Sequence, residues 1–340
     1  MIWARAEGCR VWDEDGREYL DLSGGFGVAA LGHRNPVISA AWAAQPVVHA
    51  LGDLADAAVT AALRERLGPS KLGVTGEDAV EIGLRTALLA TGRPGIVAFD
   101  GAYHGTGLLA LAATGLERFR EPFAAWLPGP VHRRTYGEDP GALPDDAGVV
   151  IVEPVQGRAG ARVPPDDFPP TLRERCDQTG ALLVVDAIFT GLGRIGEMWP
   201  GAEVADVLCV GKALGGGLPL SAALFVRPGL QEVWDLGEED LYTHTHSGNP
   251  LACAAALVVL EEVPKLLPRI AVLSERFAVS GWHGKGLLRT ERKNAAEAER
   301  AGVLVIPIPA SEERDALIQA APAFTLTDDE LDEAFSRLAG

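Results

Sequence analysis

The feature that most constrains the fold is a repeated alternation of short apolar runs with helical stretches. Four such runs are Gly95 to Phe99, Gly148 to Val152, Ala181 to Val185 and Val207 to Val210. Runs of this kind suit strands that are buried on both faces. A helix is predicted over Thr171 to Thr179, ending at Gly180. The order strand, helix, strand therefore indicates an α/β fold with a mostly parallel, doubly wound sheet.

The chain is long enough for a large domain and a smaller α+β domain, with 340 residues of which 47% are hydrophobic. A hairpin is predicted between Cys9 and Leu22, around a turn at Gly16. The expected division is residues 1–40 and 271–340 in the small domain and 41–270 in the large domain. Three further elements are predicted in the tail: a helix from Glu291 to Arg300, a strand from Val303 to Ile308 and a helix from Asp328 to Leu338.

Charge and cysteine usage exclude several classes of protein. The net charge of −17 provides no basic surface for nucleic acid. The four cysteines are widely spaced, without a zinc-binding rhythm, which favours a reducing compartment. The apolar runs are shorter than the roughly 20 residues that cross a bilayer. The first residues lack the pattern of a secretory signal. We therefore expect a cytoplasmic protein that does not bind membranes.

Lys212 follows the apolar run that ends at Val210 and precedes the glycines Gly215 to Gly217. A lysine amine in a partly desolvated pocket forms a Schiff base with an aldehyde, and glycines let a backbone approach a ligand closely. A surface lysine beside a flexible loop is the alternative that this motif alone leaves open.

Asp186 ends the hydrophobic run that begins at Ala181. A buried carboxylate needs a partner, because an unpaired buried charge is unfavourable. Ligands of open α/β sheets lie at the carboxyl ends of the strands, so a protonated pyridine nitrogen is a candidate partner. A helix N-cap or a structural salt bridge is the alternative.

Two further segments are candidates for binding a ligand. One precedes a predicted helix, and the other follows a predicted strand. Residues Thr75 to Asp78 precede a helix that is expected to start near Asp78, where free amides and the helix dipole favour phosphate. The alternative is an ordinary capped turn without a ligand, which would show the same residue pattern. Tyr103 and His104 lie in a glycine-flanked loop, where Tyr103 is placed to stack on a heteroaromatic ring. A packed loop aromatic is the alternative.

The segment YTHTHSGNP, residues 242–250, contains hydroxyls and imidazoles ahead of a hydrophobic helix predicted to start near Leu251. Thr245 is a candidate hydrogen-bond donor to phosphate. His244 and His246 have a spacing seen in metal sites, but no third ligand stands nearby. No metal is therefore expected.

Taken together and in this order, the segments resemble the class III, fold type I, ω-amino acid aminotransferases. The likeness covers nearly the whole chain. The matching segments are VWDEDGREYLDLSGGFGVAALGHRNP (11–36), TGEDAVE (75–81), FDGAYHG (99–105), VEPVQG (152–157), DAIFTGLGRIG (186–196), GKALGGGLPLSA (211–222), THSGNPLACAAA (245–256) and KGLL (285–288).

The resemblance implies a pyridoxal-phosphate enzyme in which Lys212 forms the internal aldimine and acts as general base, while Asp186 pairs with the pyridine nitrogen. It also implies a homodimer with shared active sites. The remaining predicted cofactor contacts are Thr75 and the amides of Gly76 and Glu77 at the phosphate, Tyr103 and Ile188 on the two ring faces, His104 beside Tyr103, Glu153 as a carboxylate behind the cofactor, and Thr245 on the phosphate of the neighbouring subunit.

Several positions depart from the pattern of the family. Glu77 stands where a serine or small residue is usual, and its carboxylate is expected to point away from phosphate because like charges repel. Ala187 replaces an acidic residue. Phe189 replaces a glutamine, which removes a hydrogen bond to the ring hydroxyl of the cofactor. The chain is also shortened between Gly107 and Val149 and between Leu260 and Gly281.

The expected reaction is a ping-pong transfer of an amino group from an amine or amino acid to a carbonyl acceptor. The donor displaces Lys212 from the cofactor, and the freed lysine moves the proton between the substrate carbon and the cofactor. An aminomutase or racemase on the same scaffold remains an alternative, as does a catalytically weak cofactor-binding protein. A dinucleotide-binding protein is disfavoured, because no GxGxxG follows the first strand of a βαβ unit.

Substrate choice is predicted from the tail. Many relatives that bind an α-carboxylate have an arginine three residues before the proline that matches Pro322. Gln319 occupies this position, which forfeits about 1.5–3 kcal/mol of charge-assisted hydrogen bonding. Arg314 is the alternative cation, although a solvent-facing loop arginine is the simpler interpretation. The sequence thus predicts a weak preference, or none, for α-amino acids such as glutamate over amines that lack the α-carboxylate.

Overall fold

The computed structural model describes residues 1–48, 55–235, 241–291, 294–310 and 315–339. Its largest sheet contains, in spatial order, β4 (Ser70–Gly73), β10 (Ser221–Phe225), β9 (Val207–Val210), β8 (Leu182–Asp186), β7 (Ala147–Val152), β5 (Gly95–Phe99) and β6 (Val131–Arg134). In the run β9, β8, β7, β5 and β6, each strand is parallel to the next. Strand β10 is antiparallel to both of its neighbours, β9 and β4. The mostly parallel sheet is confirmed, and the four predicted strands agree with it to within one residue at each end.

The large sheet is covered on both faces, as the apolar sequences of its strands predict. Successive residues of β7 point in opposite directions. Ile151 joins an apolar cluster that includes α4 (Gly76–Thr91), while Val150 joins a second cluster that includes α7 (Phe168–Thr179). The central strands are therefore buried between two layers of helices, which is the doubly wound arrangement.

The helix predicted over 171–179 is longer at its N-terminus than expected. It begins at Phe168 because Pro169 and Pro170 lie in the first turn, where the missing N–H groups break no helical hydrogen bond. It ends as predicted before Gly180, which caps the helix in a left-handed conformation with φ 71°.

Two smaller sheets contain four strands each. The first has the order β1 (Trp3–Glu7), β2 (Arg10–Asp13), β3 (Glu18–Asp21) and β13 (Val303–Leu304), and the second has the order β11 (His283–Lys285), β12 (Leu287–Thr290), β15 (Leu317–Ala320) and β14 (Ile306–Ile308). The antiparallel pair β2–β3 confirms the predicted hairpin. Because β13 pairs with β3, the N-terminal strands share one sheet with a strand from the C-terminal part of the chain.

The single strand predicted over 303–308 is wrong. Val303 packs against Leu20 in one apolar cluster, whereas Ile306 and Ile308 pack in another cluster with Leu317. The chain therefore crosses from the first small sheet to the second within this segment, and each sheet receives a short strand.

The helix predicted over 291–300 begins later than expected. Asn294 accepts a hydrogen bond from the N–H of Glu297, and the Glu297 side chain accepts one from the N–H of Asn294. This capping box fixes the start of α9 at Ala295. α9 ends at Arg300. The remaining α-helices of the described residues are α1 (Gly24–Gly27), α2 (Pro36–Ala43), α3 (Ala58–Leu67), α5 (Leu108–Ala113), α6 (Glu117–Arg120), α8 (Pro250–Val279) and α10 (Asp328–Ala339).

The longest helix, α8, begins one residue before the predicted position at Leu251. It continues without interruption past residue 270, where the sequence places a domain boundary, so the division into domains stays a prediction. Among the described residues, no helix is long and apolar enough to cross a membrane.

Candidate active site

The carboxyl ends of β7, β8 and β9 meet the N-terminus of α4 at a cleft of about 380 Å³. This volume lies in the range of small-molecule sites. Nine of the ten predicted site residues line the cleft: Thr75, Gly76, Glu77, Tyr103, His104, Glu153, Asp186, Ile188 and Lys212. The topology of the sheet thus brings together residues that lie far apart in the sequence.

The phosphate end of the predicted site is the first turn of α4, which begins at Gly76, two residues earlier than expected. Thr75 is the N-cap, and the Asp78 carboxylate accepts a hydrogen bond of 2.8 Å from the N–H of Thr75. Among the described residues, the N–H groups of Gly76 and Glu77 have no hydrogen-bond partner. Two amides at the positive end of a helix dipole make an anion site.

The Glu77 side chain is occupied by a neighbouring loop. Its carboxylate accepts hydrogen bonds from the N–H of Thr106 at 2.9 Å and from the N–H of Gly107 at 3.1 Å. The negative charge is thereby held by loop amides, and the amide of Glu77 remains available at the start of α4.

Lys212 directly follows Gly211 after β9 and has a backbone φ of 41°. A non-glycine residue in this left-handed region is strained, and such strain is concentrated at functional sites. The Nζ atom lies 3.7 Å from the centroid of the Phe189 ring. Burial lowers the pKa of Lys212 to about 8, although Asp186 and Glu153 favour its charged form. The amine is therefore substantially neutral near pH 8.

Asp186 ends β8 and is held by two hydrogen bonds. One oxygen accepts from the N–H of Ile188 at 3.1 Å, and the other lies 2.8 Å from Nδ1 of His104. The His104 ring is fully buried, so it orients Asp186 from behind. Each carboxylate oxygen has two lone pairs, so Asp186 can still accept a hydrogen bond from a ligand in the cleft.

Glu153 follows β7 and holds two loops. Its carboxylate accepts from the N–H of Tyr103 at 2.9 Å and from the N–H of Gly157 at 3.2 Å. The pKa of Glu153 is raised to about 7, mainly by burial; His104 opposes the shift and the nearby Asp186 adds to it. Glu153 therefore fixes the position of Tyr103 at the edge of the cleft.

Ile188 forms another wall, beside the start of α4. A Cβ atom at Gly76 would lie 2.8 Å from Cγ2 of Ile188, and a Cβ at Gly211 would lie 3.0 Å from its Cδ1. Glycine at both positions lets the helix start and the strand end approach Ile188 closely. The resulting arrangement is an amine, a carboxylate and an anion site around an apolar wall.

Comparisons with known proteins agree with this geometry. The Aminotransferase class-III family matches residues 1–340. The acetylornithine aminotransferase of Methanopyrus kandleri is 35% identical, over 98% of this chain and 92% of the relative. The chain belongs to the class III aminotransferase family.

Further relatives of this aminotransferase support the same assignment. A [LysW]-aminoadipate semialdehyde/glutamate semialdehyde transaminase of Sulfurisphaera tokodaii is 35% identical, over 88% of this chain and 80% of the relative. An amine transaminase from an uncultivated Pseudomonas species, solved in a PLP-bound form, is 29% identical with a TM-score of 0.83, covering 100% of this chain and 94% of the relative. The chain is thus a PLP-dependent aminotransferase with the α/β fold of fold type I enzymes.

The cleft of the aminotransferase fits PLP by its own chemistry. The unpartnered amides of Gly76 and Glu77 suit a phosphate, and Asp186 suits a protonated pyridine nitrogen. The Nε2 atom of His104 is buried without a hydrogen-bond partner among the described residues. Lys212 provides an amine that is partly neutral near physiological pH.

Thr245 does not line this cleft. It is exposed in the turn before α8. Tyr242, three residues before Thr245, donates its hydroxyl to Asp78 at 2.9 Å, so this segment contacts the first turn of α4. The role of Thr245 on the phosphate of a partner subunit stays a prediction.

Gln319 lies on β15 and is 0% exposed. It shares a strand face with Leu317 and Ala321, which belong to the apolar cluster that includes Phe189. Neither polar atom of its side chain has a hydrogen-bond partner among the described residues. Arg314, the alternative cation, lies outside the described residues.

The sequence interpretation missed two features of the cleft. From the sequence, Phe189 only removes a hydrogen bond. In the structure its ring packs against Gly27 and Gly157. A Cβ atom at Gly27 would lie 2.7 Å from the ring, and a Cβ atom at Gly157 would lie 2.4 Å from it. Arg158 lines the cleft and was not singled out at all. Its position after a strand end was the available signal, since ligands of α/β sheets lie there.

Proposed function

We propose that Lys212 binds PLP covalently and transfers the substrate proton, while Asp186 pairs with the pyridine nitrogen. The supporting observation is that the lysine amine and the carboxylate lie in one cleft at the ends of neighbouring strands. Bound PLP supplies an electron sink for the electrons of the broken bond at the substrate carbon. The protein supplies the base, the charge and the orientation.

The protonation states of the side chains suit these roles. With a pKa lowered to about 8, the amine of Lys212 is available to accept a proton from a substrate carbon. The hydrogen bond from His104 holds Asp186 in one orientation. A fixed carboxylate stabilises positive charge on a ring without reorganising during the reaction.

The other predicted contacts surround these two residues. We propose that Thr75 and the amides of Gly76 and Glu77 hold the phosphate. Tyr103 and Ile188 cover the two faces of the ring. His104 positions Asp186, and Glu153 positions Tyr103. Tyr103 is held by the hydrogen bond between its N–H and Glu153. Each contact is supported by a position on the wall of the cleft.

We propose a cytoplasmic homodimer in which Thr245 serves the site of the partner subunit. The four cysteines are free and buried, which supports a reducing compartment. Exposure of Thr245 outside its own cleft supports a role toward a second copy. Light scattering at micromolar concentration should show a dimer, and a monomer that retains tightly bound PLP would contradict the proposal.

The proposed reaction moves an amino group from an amine to a carbonyl acceptor such as a 2-oxo acid. Gln319 is neutral and provides no cation for an α-carboxylate. We therefore propose that amines without an α-carboxylate are accepted as donors. The amine transaminase among the structural relatives supports this choice. Kinetics with glutamate, 4-aminobutyrate and 1-phenylethylamine, with pyruvate as acceptor, test it. A kcat/KM for glutamate far above that of both other donors would contradict the proposal.

A further inference from the structure

The amine of Lys212 lies on the face of an aromatic ring. Its Nζ atom is 3.7 Å from the ring centroid of Phe189, well inside the distance of about 6 Å at which a ring attracts a cation. Phe189 is 7% exposed, so little water weakens this attraction. Among the described residues, no oxygen or nitrogen accepts a hydrogen bond from Lys212. The ring face is therefore the partner that the folded chain offers to the charged amine.

Close packing fixes the orientation of the Phe189 ring. A Cβ atom at Gly157 would lie 2.4 Å from its Cδ1, and a Cβ atom at Gly27 would lie 2.7 Å from its Cε2. The backbone thus approaches two edges of the ring so closely that a side chain larger than glycine would clash. The ring also belongs to a buried apolar cluster with Leu317 and Ala321. Because the ring has no room to turn away, its face is a fixed surface for the amine.

The surroundings of Lys212 disfavour its charged form. Burial lowers the pKa of Lys212 to about 8; two carboxylates of the cleft oppose this shift, and repulsion from Arg158 and Arg194 adds to it. Arg194 is itself buried and lies over a different ring, with its guanidinium carbon 4.5 Å from the centroid of Phe324. An ammonium that forms on Lys212 during a reaction therefore needs a local source of stabilisation.

We propose that Phe189 is a positioning residue that holds the charge acquired by Lys212 when its amine takes the proton from the substrate carbon. The proton moves to Nζ, the electron pair of the broken bond passes to bound PLP, and the ammonium later returns the proton to the substrate–cofactor pair. Between the two transfers, the negative face of the fixed ring stabilises the ammonium without reorganising. The proposal rests on the proposed function of Lys212 and gives Phe189 a role on the base.

The first test measures the amine without the reaction. Phe189 is replaced by 4-fluorophenylalanine and by 3,4,5-trifluorophenylalanine, which keep the shape of the ring while fluorine withdraws electron density from its face. Acetic anhydride acylates only the neutral amine, so its rate of labelling Lys212 in the full-length apoprotein is followed against pH by peptide mass analysis. The inflection of this profile should move to lower pH by about one unit in the trifluoro variant. The monofluoro variant should lie between it and the wild type.

The second test follows the proton in the holoenzyme. In a single turnover with 1-phenylethylamine, the rate constant for proton abstraction is identified because deuterium on the reacting carbon slows it. This rate constant should fall about tenfold in the trifluoro variant, since the charge that forms on Nζ loses its stabilisation. Phe168 provides the matched control, because it is equally buried and packs edge-on against Phe99 at 5.4 Å. Its replacement by trifluorophenylalanine should leave both the inflection and the rate constant unchanged.

The outcomes separate this proposal from the proposed function. Borohydride reduction that attaches PLP to a lysine other than Lys212 refutes the proposed function itself. Attachment to Lys212 with an inflection that does not move on fluorination of Phe189, or that moves equally on fluorination of Phe168, overturns the role of Phe189. A shifted inflection with an unchanged rate constant for proton abstraction also overturns it, because the ring then holds the resting amine and takes no part in the transfer.

Discussion

The β7–β8 side of the cleft and strand β15, whose Leu317 shares an apolar cluster with Phe189, differ in how the chain satisfies its own polar groups. On the side formed by β7 and β8, both oxygens of Asp186 and both oxygens of Glu153 accept hydrogen bonds from the protein. On β15, the side-chain amide of Gln319 is fully buried without a partner among the described residues. The β7–β8 side, which is the proposed cofactor side, is thus organised by internal hydrogen bonds, whereas β15 has polar atoms that no described residue engages.

This difference shows which parts of the site are set by folding alone. An internally hydrogen-bonded carboxylate costs no reorganisation when a ligand binds. A buried unpartnered amide destabilises the fold by about 1–3 kcal/mol. Substitutions on the cofactor side should therefore change chemistry, and substitutions at Gln319 should first change stability.

The largest effect is expected from Lys212→Ala on the cofactor side. Removing the amine abolishes covalent attachment and the base, so turnover should fall by about 10⁴-fold or more. Peptide mass analysis after borohydride reduction should find PLP on Lys212 in the wild type and on no lysine in the variant. Lys265→Ala, an exposed substitution on α8, serves as control and should retain both label and activity. Reduced cofactor on another lysine would end the assignment.

The second prediction compares two buried aspartates at opposite ends of the sheet. Asp186 follows the direction of β8 into the cleft, while Asp206 precedes β9 and pairs with Arg173 at 2.8 Å. Asp186→Asn should lower kcat by about 10²–10³-fold, because it removes the fixed charge on the ring side. Asp206→Asn should lower stability and leave the kcat of folded protein near the wild-type value.

Equal losses of kcat in the two variants would show that Asp186 is only structural. Stopped-flow absorbance and thermal unfolding separate the two effects, because one measures the reaction of folded protein and the other measures the fold.

The third prediction concerns pH and Lys212. Its pKa lies at about 8, below the ordinary value of 10.5, so the neutral amine that attacks PLP is gained as pH rises. The rate of covalent capture by the apoprotein should rise about tenfold per pH unit below 8 and level off above it. Between these two pKa values the unfolded chain keeps the lysine proton that the folded chain has lost. The free energy of unfolding therefore rises with pH in that window.

Asp186→Asn sharpens the pH experiment, because Asp186 favours the charged lysine. Its removal should move the inflection of the capture rate to lower pH. An inflection near 10 in the wild type would contradict burial of the amine.

Much of the cofactor side was predictable from the sequence. Short apolar runs define the central strands, and the sheet places their carboxyl ends at one edge, which brings Lys212 and Asp186 together. The contact of His104 with Asp186 was less accessible, because the two residues are 82 positions apart and meet only after the strands pair. The segment FDGAYHG predicts His104 as a site residue but does not indicate which side chain it contacts.

Two other features were harder to predict, for a physical reason. The position of Arg158 depends on the path of a loop and on rings from distant segments, Phe26 and Phe119, which no periodicity reveals. The division of residues 303–308 between two sheets depends on which apolar cluster receives each side chain. Both features are set by tertiary packing rather than by local pattern.

The last prediction compares two glutamines that are both 0% exposed. Gln156 is satisfied, since its amide donates to the carbonyl of Asp100 at 2.6 Å and accepts from Arg162 at 3.2 Å. Gln319 has no such partners. Gln319→Met removes two buried unpaired polar atoms at similar volume, and should raise the free energy of unfolding by about 1–3 kcal/mol. Gln156→Met leaves the carbonyl and the guanidinium without a partner, and should lower it by a similar amount. Urea denaturation of both variants measures the difference, and destabilisation of the same size in both would show that the Gln319 amide is bonded in solution.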